Sequence, residues 1–322
     1  MPLGEFELID RWFRRPSRDA PGVVLGIGDD AALLRVPDGH ELVAAIDTIV
    51  AGRHFLPDAK AHAIGHQALA VNLSDLAAMG AKPAWALLAL TLPQVEEAWL
   101  GQFARGWFDL ADREGVALVG GDTTRGPLTV SVQVLGWVET GTALRRAGAR
   151  PGDRLVVTGT LGDAAAGLSL ARGRVVGAAG SAQAHLRRRF EYPEPRLAFG
   201  RLARGVASAA MDLSDGLAGD APKLAAASAV AAHICLERLP LSAALLEVAD
   251  AAQAHHWALC GGEDYELLLA VPPAGLARLG DLAAQCGLHL TDIGECRAGE
   301  GVTWSMDGRP LGRAPAGFDH FR

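Results

Sequence analysis

The stretch Ala84–Leu92 sets the first limit on what this chain can fold into. It is apolar at every position but Thr91 and is boxed by Pro83 and Pro93. It is too short to span a bilayer, where a helix needs roughly 20 apolar residues. A near-continuous apolar run of this length reads as a strand covered on both faces. Such a strand requires layers on either side, and its neighbours supply them. Glu41–Ile46, Val116–Val119 and the alternating Leu128–Val138 read as strands, and Ala61–Met79 and Glu96–Glu114 as helices. The pattern predicts an α/β or α+β fold. At 322 residues the chain fits two domains. The turn-forming, arginine-rich stretch Thr140–Gly152 separates them, giving residues 1–145 and 146–322. Beyond it, Arg154–Thr158, Ala231–Cys235 and Tyr265–Val271 read as strands. Helices follow from Ala164, over Arg196–Arg204 and over Ala218–Ala227. No fixed-period repeat is visible.

Charge and motifs narrow the function. The formal net charge is -7 and the only lysines are Lys60, Lys82 and Lys223, which argues against a nucleic-acid partner. The opening MPLGEFELIDRWF is polar and acidic, unlike a signal peptide. Four cysteines without C-x-x-C spacing suit a reducing cytoplasm, with no membrane partner expected. A G-x-x-x-x-G-K-[ST] loop, H-E-x-x-H and G-x-S-x-G are all missing. Gly26-Ile27-Gly28 begins like a dinucleotide fingerprint, but Ala31 stands at its third glycine and acids crowd the turn.

The aspartates carry the chemistry. Asp29 and Asp30 follow a glycine turn; Asp47 and Asp122 are expected at strand ends; Asp212 and Asp215 follow Ala209-Ala210-Met211. Asp75 falls on a helical stripe with Ala68, Val71, Asn72 and Met79. A carboxylate on an apolar stripe needs a partner, a metal or a proton. Any one of these acids is explained by turn chemistry, or by a hydrogen bond to Asn72. Brought together, two carboxylates about 4 Å apart repel by roughly 4 kcal/mol at an effective dielectric near 20. No basic residue recurs beside them in sequence, so Mg²⁺, an oxygen-seeking ion that bridges to phosphates, is the expected counter-charge.

Together these stretches resemble the thiamine-monophosphate kinase family. The matching segments are GEFELI (Gly4–Ile9), GIGDDAALL (Gly26–Leu34), Asp47-Thr48, His54-Phe55 and VNLSDLAAMGA (Val71–Ala81). They continue with LVGGDTTRG (Leu118–Gly126), DLSDGL (Asp212–Leu217), GGEDYEL (Gly261–Leu267) and GFDHF (Gly317–Phe321). The resemblance implies a two-domain PurM-like fold, shared with aminoimidazole ribonucleotide synthetase and selenophosphate synthetase. In it an N-terminal α/β domain binds metal and nucleotide and forms a homodimer, and a C-terminal α/β domain closes the active site. It implies phosphoryl transfer from ATP to thiamine monophosphate, in line and without a protein nucleophile, with several Mg²⁺ ions and K⁺ as a stimulating ion. It further implies metal binding by Asp30, Asp47, Asp75, Asp122, Asp212 and Asp215. Nucleotide contacts fall to Gly121, Asp122, Arg146 and Ser214, and thiamine-side contacts to His54, Glu263 and Phe318. On residue chemistry alone His54 is also a surface histidine, Phe318 a packed aromatic, Glu263 a helix-start acid and Arg146 a solvated linker arginine.

The chain departs from the family pattern in places. Ala45-Ile46 replaces a hydroxyl pair before Asp47. Val50-Ala51-Gly52 lacks a glutamate, and Arg105 stands where an aromatic near adenine is usual. The first cysteine is Cys235, far from where selenophosphate synthetase needs one, and the C-terminal cysteine of the hydrogenase-maturation relative is missing. A non-catalytic nucleotide or thiamine-phosphate sensor and a two-metal phosphatase are the other readings.

Overall fold

The computed structural model describes residues 4–15, 20–175, 180–311 and 317. The chain divides into two compact units, residues 1–76 with 81–141, and residues 77–80 with 142–322. Ala77–Gly80 join the second unit for a local reason. The Leu144 amide donates to the Met79 carbonyl at 3.1 Å, and Gly200 packs on the backbone of Ala77.

The first unit comprises α1 (Glu5–Trp12), β1 (Val23–Leu25), β2 (Leu33–Leu34), β3 (His40–Val50), α2 (Ala61–Ala78), β4 (Lys82–Leu92), α3 (Glu97–Glu114), β5 (Ala117–Arg125) and β6 (Thr129–Glu139). β1 and β2 form a small ribbon, and the main sheet runs β3-β6-β4-β5. The apolar run of β4 lies inside it, antiparallel to β6 and parallel to β5. One face buries Ile49, Leu88, Leu90, Val130 and Val132. α2 and α3 cross closely because Gly65 meets the Phe103 carbonyl and Gly106 the His62 carbonyl; a Cβ at either would collide with backbone. On the other face Trp85 and Trp137 pack together at 5.2 Å between ring centres, with Val23, Ala32 and Leu34 of the ribbon region against them. Over β3 that face is open: Leu42 and Ile46 are 51% and 63% exposed.

Two strands outrun their sequence-based limits. Asp47 and Asp122 were expected at strand ends, yet β3 pairs with β6 as far as Val50 and β5 pairs with β4 as far as Arg125. In β5 the apolar pattern stops at Val119, where the strand emerges from the core, while its ladder continues; in β3 Asp47 and Thr48 interrupt the apolar pattern, which resumes at the buried Ile49.

The second unit comprises β7 (Arg154–Thr158), α4 (Asp163–Ala171), α5 (Gly180–Glu191), α6 (Leu197–Ala203), β8 (Ala209–Asp212), α7 (Leu217–Ser228) and β9 (Ala231–Cys235). It continues with α8 (Ala243–Val248), α9 (Ala251–Cys260), β10 (Leu267–Val271), α10 (Leu276–Gln285), β11 (Leu290–Arg297), β12 (Gly301–Met306) and β13 (Arg309–Pro310). Its sheet runs β13-β12-β9-β11-β7-β10-β8, with only β12 and β9 parallel. β10 reads as five consecutive buried residues, and Leu213, Leu217, Leu224, Ile234 and Leu268 share its core. Both units are mixed helix and sheet, as the segment pattern predicts.

Candidate functional site

In the first unit a cavity of ≈ 840 Å³ is lined by Asp10, Phe13 and Arg14 from the α1 region, by 27–32, and by β5 from Leu118 to Thr123. Leu87 and Leu88 of β4 and Leu135 of β6 line it too, so the cavity lies over the β5 end of the sheet, where β5 is the edge strand. Glycine sets the fit of β5 against β4. Gly121 has φ 151°, and a Cβ there would lie 1.9 Å from the Leu88 carbonyl oxygen, so only glycine lets β5 lie this close to β4. Asp30 and Asp122 both face this cavity and both are exposed. Asp29 caps its own turn, its Oδ1 accepting the Asp30 amide at 2.9 Å. Arg14 brings a guanidinium against Gly28 while paired with Asp10 at 3.0 Å.

Asp47 and Asp75 form a second group. The Asp47 amide donates to Asn72 Oδ1 at 2.7 Å, and Asn72 Nδ2 donates to the Ala68 carbonyl at 2.9 Å. Asp75 lies one helical turn beyond Asn72, on the same stripe of α2 and half-buried. Strand register separates the two groups. Asp47 lies in one row with Val132, Leu88 and Gly121, and Asp122 in the next row with Ala89, Ser131 and Thr48. The two aspartates therefore start on opposite faces and three strands apart, about 14 Å at ordinary strand spacing. Among the described residues no three His, Cys, Asp or Glu side chains gather closely enough to hold a metal by themselves. Near the second group His54 is half-buried, its Nδ1 accepting the Val50 amide at 3.0 Å.

In the second unit two motif loops lie side by side. The Glu263 amide donates to the Ser214 carbonyl at 2.8 Å, Tyr265 to Leu213 at 2.9 Å, and Leu213 to Glu266 at 2.8 Å. These bonds draw Asp212, Ser214, Asp215 and Glu263 together. Glu263 starts no helix: it sits in a loop at φ 65°, with Tyr265 at φ 51°. Asp212 is buried at the end of β8. Asp220 Oδ2 accepts the Ser214 and Asp215 amides at 3.0 and 2.9 Å. Lys223 bridges Asp220, at 2.8 Å, and Asp215. Burial raises the Asp220 carboxyl above its usual range, and Lys223 opposes this. A basic residue therefore does stand beside one expected metal ligand, eight residues along the chain from it. Arg146 is exposed, and its carbonyl accepts the Ser228 hydroxyl at 2.8 Å. Phe318 lies outside the described residues.

Sequence reading missed a buried ionic cluster. Glu266, fully buried, accepts Thr158 Oγ1 at 2.6 Å, Arg189 Nη2 at 2.8 Å and Arg196 Nε at 2.7 Å, with a second contact from Arg196 Nη2. Burial alone would lower the Arg196 pKa, but Glu266 outweighs it and holds it raised. Asp264 accepts the Gly162 and Ala164 amides at 2.8 and 3.4 Å, at the start of α4. Burial pushes its carboxyl up to about 7, against the Gly162 hydrogen bond, which favours the anion. Unfolded, the same group ionises near its ordinary 3.8. Its share of stability is intact at low pH and is lost as the pH rises through about 7. The apparent Tm is expected to fall between about pH 4 and about pH 7, and Asp264→Asn to flatten that fall. An unchanged slope in a thermal scan overturns the assignment.

Comparison with known proteins places the chain. The family model for AIR synthase related protein, N-terminal domain, matches residues 28–138, and the C-terminal domain model matches residues 150–306. Thiamine-monophosphate kinase of Escherichia coli strain K12 is 47% identical over 322 residues, covering 100% of this chain and 99% of that protein. The crystal structure of thiamine-monophosphate kinase from Stenotrophomonas maltophilia K279a superposes with a TM-score of 0.88 at 46% identity, over 97% of this chain and 99% of that one. AaThiL complexed with AMPPCP and TMP matches with a TM-score of 0.79 at 34% identity, over 100% of this chain and 99% of that one.

Proposed function

The chain belongs to the thiamine-monophosphate kinase family, and we propose that it performs that family's reaction by direct in-line transfer without a phosphoenzyme. It phosphorylates thiamine monophosphate to thiamine diphosphate at the expense of ATP. The observation that carries the residue-level reading is the acidic cavity at the β5 end of the sheet. The glycine pair Gly120-Gly121 lines it without side chains, and Asp30 and Asp122 stand where a metal-bound phosphate must be neutralised. In the second unit the Ser214 and Asp215 loop is the nucleotide-side contact. Glu263, an acid beside a Tyr265 hydroxyl at 3.2 Å, suits the cationic thiazolium.

The donor set fits Mg²⁺. It consists of oxygen ligands in small groups, which matches an ion that keeps waters and completes its shell with substrate phosphates rather than with an all-protein cage. When bound, Mg²⁺ supplies charge neutralisation on the transferring phosphoryl group. Asp30 with Asp122, Asp47 with Asp75, and Asp212 with Asp215 would each hold such ions as separate groups, and Lys223 is paired with Asp215. Asn72 fixes the β3 backbone at Asp47 from α2, and this contact needs no hydroxyl at Ala45 or Ile46. His54 is held by the Val50 amide and serves the thiamine side; we assign Phe318 the same role from its motif. Arg146, exposed, is free in orientation to meet phosphate.

The open face over β3, with Leu42 and Ile46 exposed, supports a homodimer through that sheet. Four cysteines free of disulfides support a cytoplasmic setting. No helix among the described residues is long and apolar enough to cross a membrane.

Incubation with ATP, Mg²⁺ and thiamine monophosphate is expected to give ADP and thiamine diphosphate in equal amounts. Phosphate release without acceptor would mark a phosphatase, and nucleotide binding with no product at any Mg²⁺ level a sensor. Replacing K⁺ by Na⁺ in the same assay tests the stimulating ion. Glu263→Ala is expected to raise KM for thiamine monophosphate by about tenfold or more, with KM for ATP changed less than about threefold. A selective loss of ATP affinity overturns its placement.

A further inference from the structure

The turn that carries Glu263 is held by the side chains of its own motif. Glu263 and Tyr265 both have positive φ, a region sparsely populated for non-glycine residues and persistent only where the surroundings over-determine it. Two buried carboxylates of the same turn provide that constraint. Asp264, 2% exposed, is fastened to the backbone at the start of α4. Glu266, 0% exposed, is gripped by the Arg196 fork, by Arg189 and by Thr158, from β7, α5 and the start of α6. The slot is shaped for it: a Cβ on Gly159 would lie 2.2 Å from Glu266 Oε1. From this anchor the backbone bonds Leu213–Glu266, Tyr265–Leu213 and Glu263–Ser214 pass the register on to the 213–215 loop. The Tyr265 hydroxyl meanwhile donates to Glu263 Oε2 at 3.2 Å. Replacing a buried ion pair by apolar residues of the same volume is often neutral or stabilising, so the distinctive contribution of a buried arginine–carboxylate cluster is geometry.

We propose that Glu266, aided by Asp264 and Tyr265, is a positioning residue for the thiamine monophosphate side of the reaction, locking Glu263 and the 213–215 backbone in one arrangement. The inference rests on the reading that Glu263 faces that substrate. Its test is a double-mutant cycle on the full-length enzyme, measuring KM for thiamine monophosphate, KM for ATP and kcat. Glu266→Gln is expected to raise KM for thiamine monophosphate by about tenfold, with KM for ATP changed less than about threefold. In the Glu263→Ala background the same change is expected to add less than about twofold, because the group being positioned is gone. Tyr265→Phe, which leaves the buried carboxylates in place, is expected to give the same pattern at about threefold and serves if Glu266→Gln does not fold.

Equal penalties in both backgrounds, or parallel rises in both KM values, would mark a merely structural cluster and overturn the proposal. If Glu263→Ala raises KM while neither Glu266→Gln nor Tyr265→Phe does, the positioning role alone fails. If Glu263→Ala itself leaves KM unchanged, the substrate reading and the positioning role fall together.

Discussion

Asp122→Asn is expected to lower kcat by roughly a hundred- to a thousandfold, the range set by removing one pre-placed electrostatic group from a charge-stabilising site. The side chain is exposed in the cavity at the β5 end of the sheet, so the substitution removes charge and leaves volume and packing alone. Its strand neighbours are unaffected: Ala89 pairs with it through the backbone, and Gly121 makes the close approach to Leu88. Tm is therefore expected to stay within about 2 °C of the parent, since surface changes of this kind usually cost less than about 0.5 kcal/mol. The loss should be accompanied by a higher Mg²⁺ concentration for half-maximal rate, because a neutral amide removes one of the two expected metal ligands in that cavity and leaves Asp30 alone in that role. Steady-state turnover across a Mg²⁺ series checks both statements. Near-parental kcat in Asp122→Asn would remove this residue from the metal site and weaken the reading of the whole cavity.

How far the sequence revealed this arrangement depends on whether a feature is local. The helices α2 and α3 and the strands β7 and β9 were legible almost to the residue, α3 because its apolar stripe recurs at helical spacing and the others because each is a compact, largely apolar run. Asp47 and Asp122 were legible as special, but not as mid-strand residues. The apolar pattern of β5 ends where the strand leaves the core after Val119, and that of β3 is interrupted at Asp47 and Thr48 before the buried Ile49, whereas the ladders continue to Arg125 and Val50. The pairing of Asp30 with Asp122 in one cavity, and of Asp47 with the Asn72 stripe, depends on sheet order and register, which no single segment encodes. Arg14 and Lys223 were invisible as partners of the acidic turns for the same reason. The Glu266 cluster was the least legible. Its arginines lie 70 and 77 residues away in sequence, and its carboxylates sit in a motif whose neighbouring acid, Glu263, draws the functional reading. Burial separates the three acids: Glu263 is half-buried, while Asp264 and Glu266 are closed off.

That burial makes Arg196→Ala the substitution with the largest expected effect on stability. Glu266 is fully inaccessible and lies between two guanidiniums whose side chains are themselves only 12% and 13% exposed. Removing Arg196 takes away its Nε and Nη2 donors and leaves the Glu266 anion with Arg189 and Thr158. Deleting one partner of a buried ion pair typically costs about 3–5 kcal/mol, because the remaining charge has been desolvated without full compensation. For a unit of this size that corresponds to a fall in Tm of roughly 6–20 °C. Restoring charge balance should recover part of the loss: Arg196→Ala with Glu266→Gln is expected to be more stable than Arg196→Ala alone, since the buried anion is gone. Two outcomes are therefore opposed in a thermal or urea denaturation series. If the double variant regains stability over Arg196→Ala, the cost lay in the stranded charge. If it is less stable still, the cost lay in lost packing around α5 and α6, and the ionic account of this cluster fails.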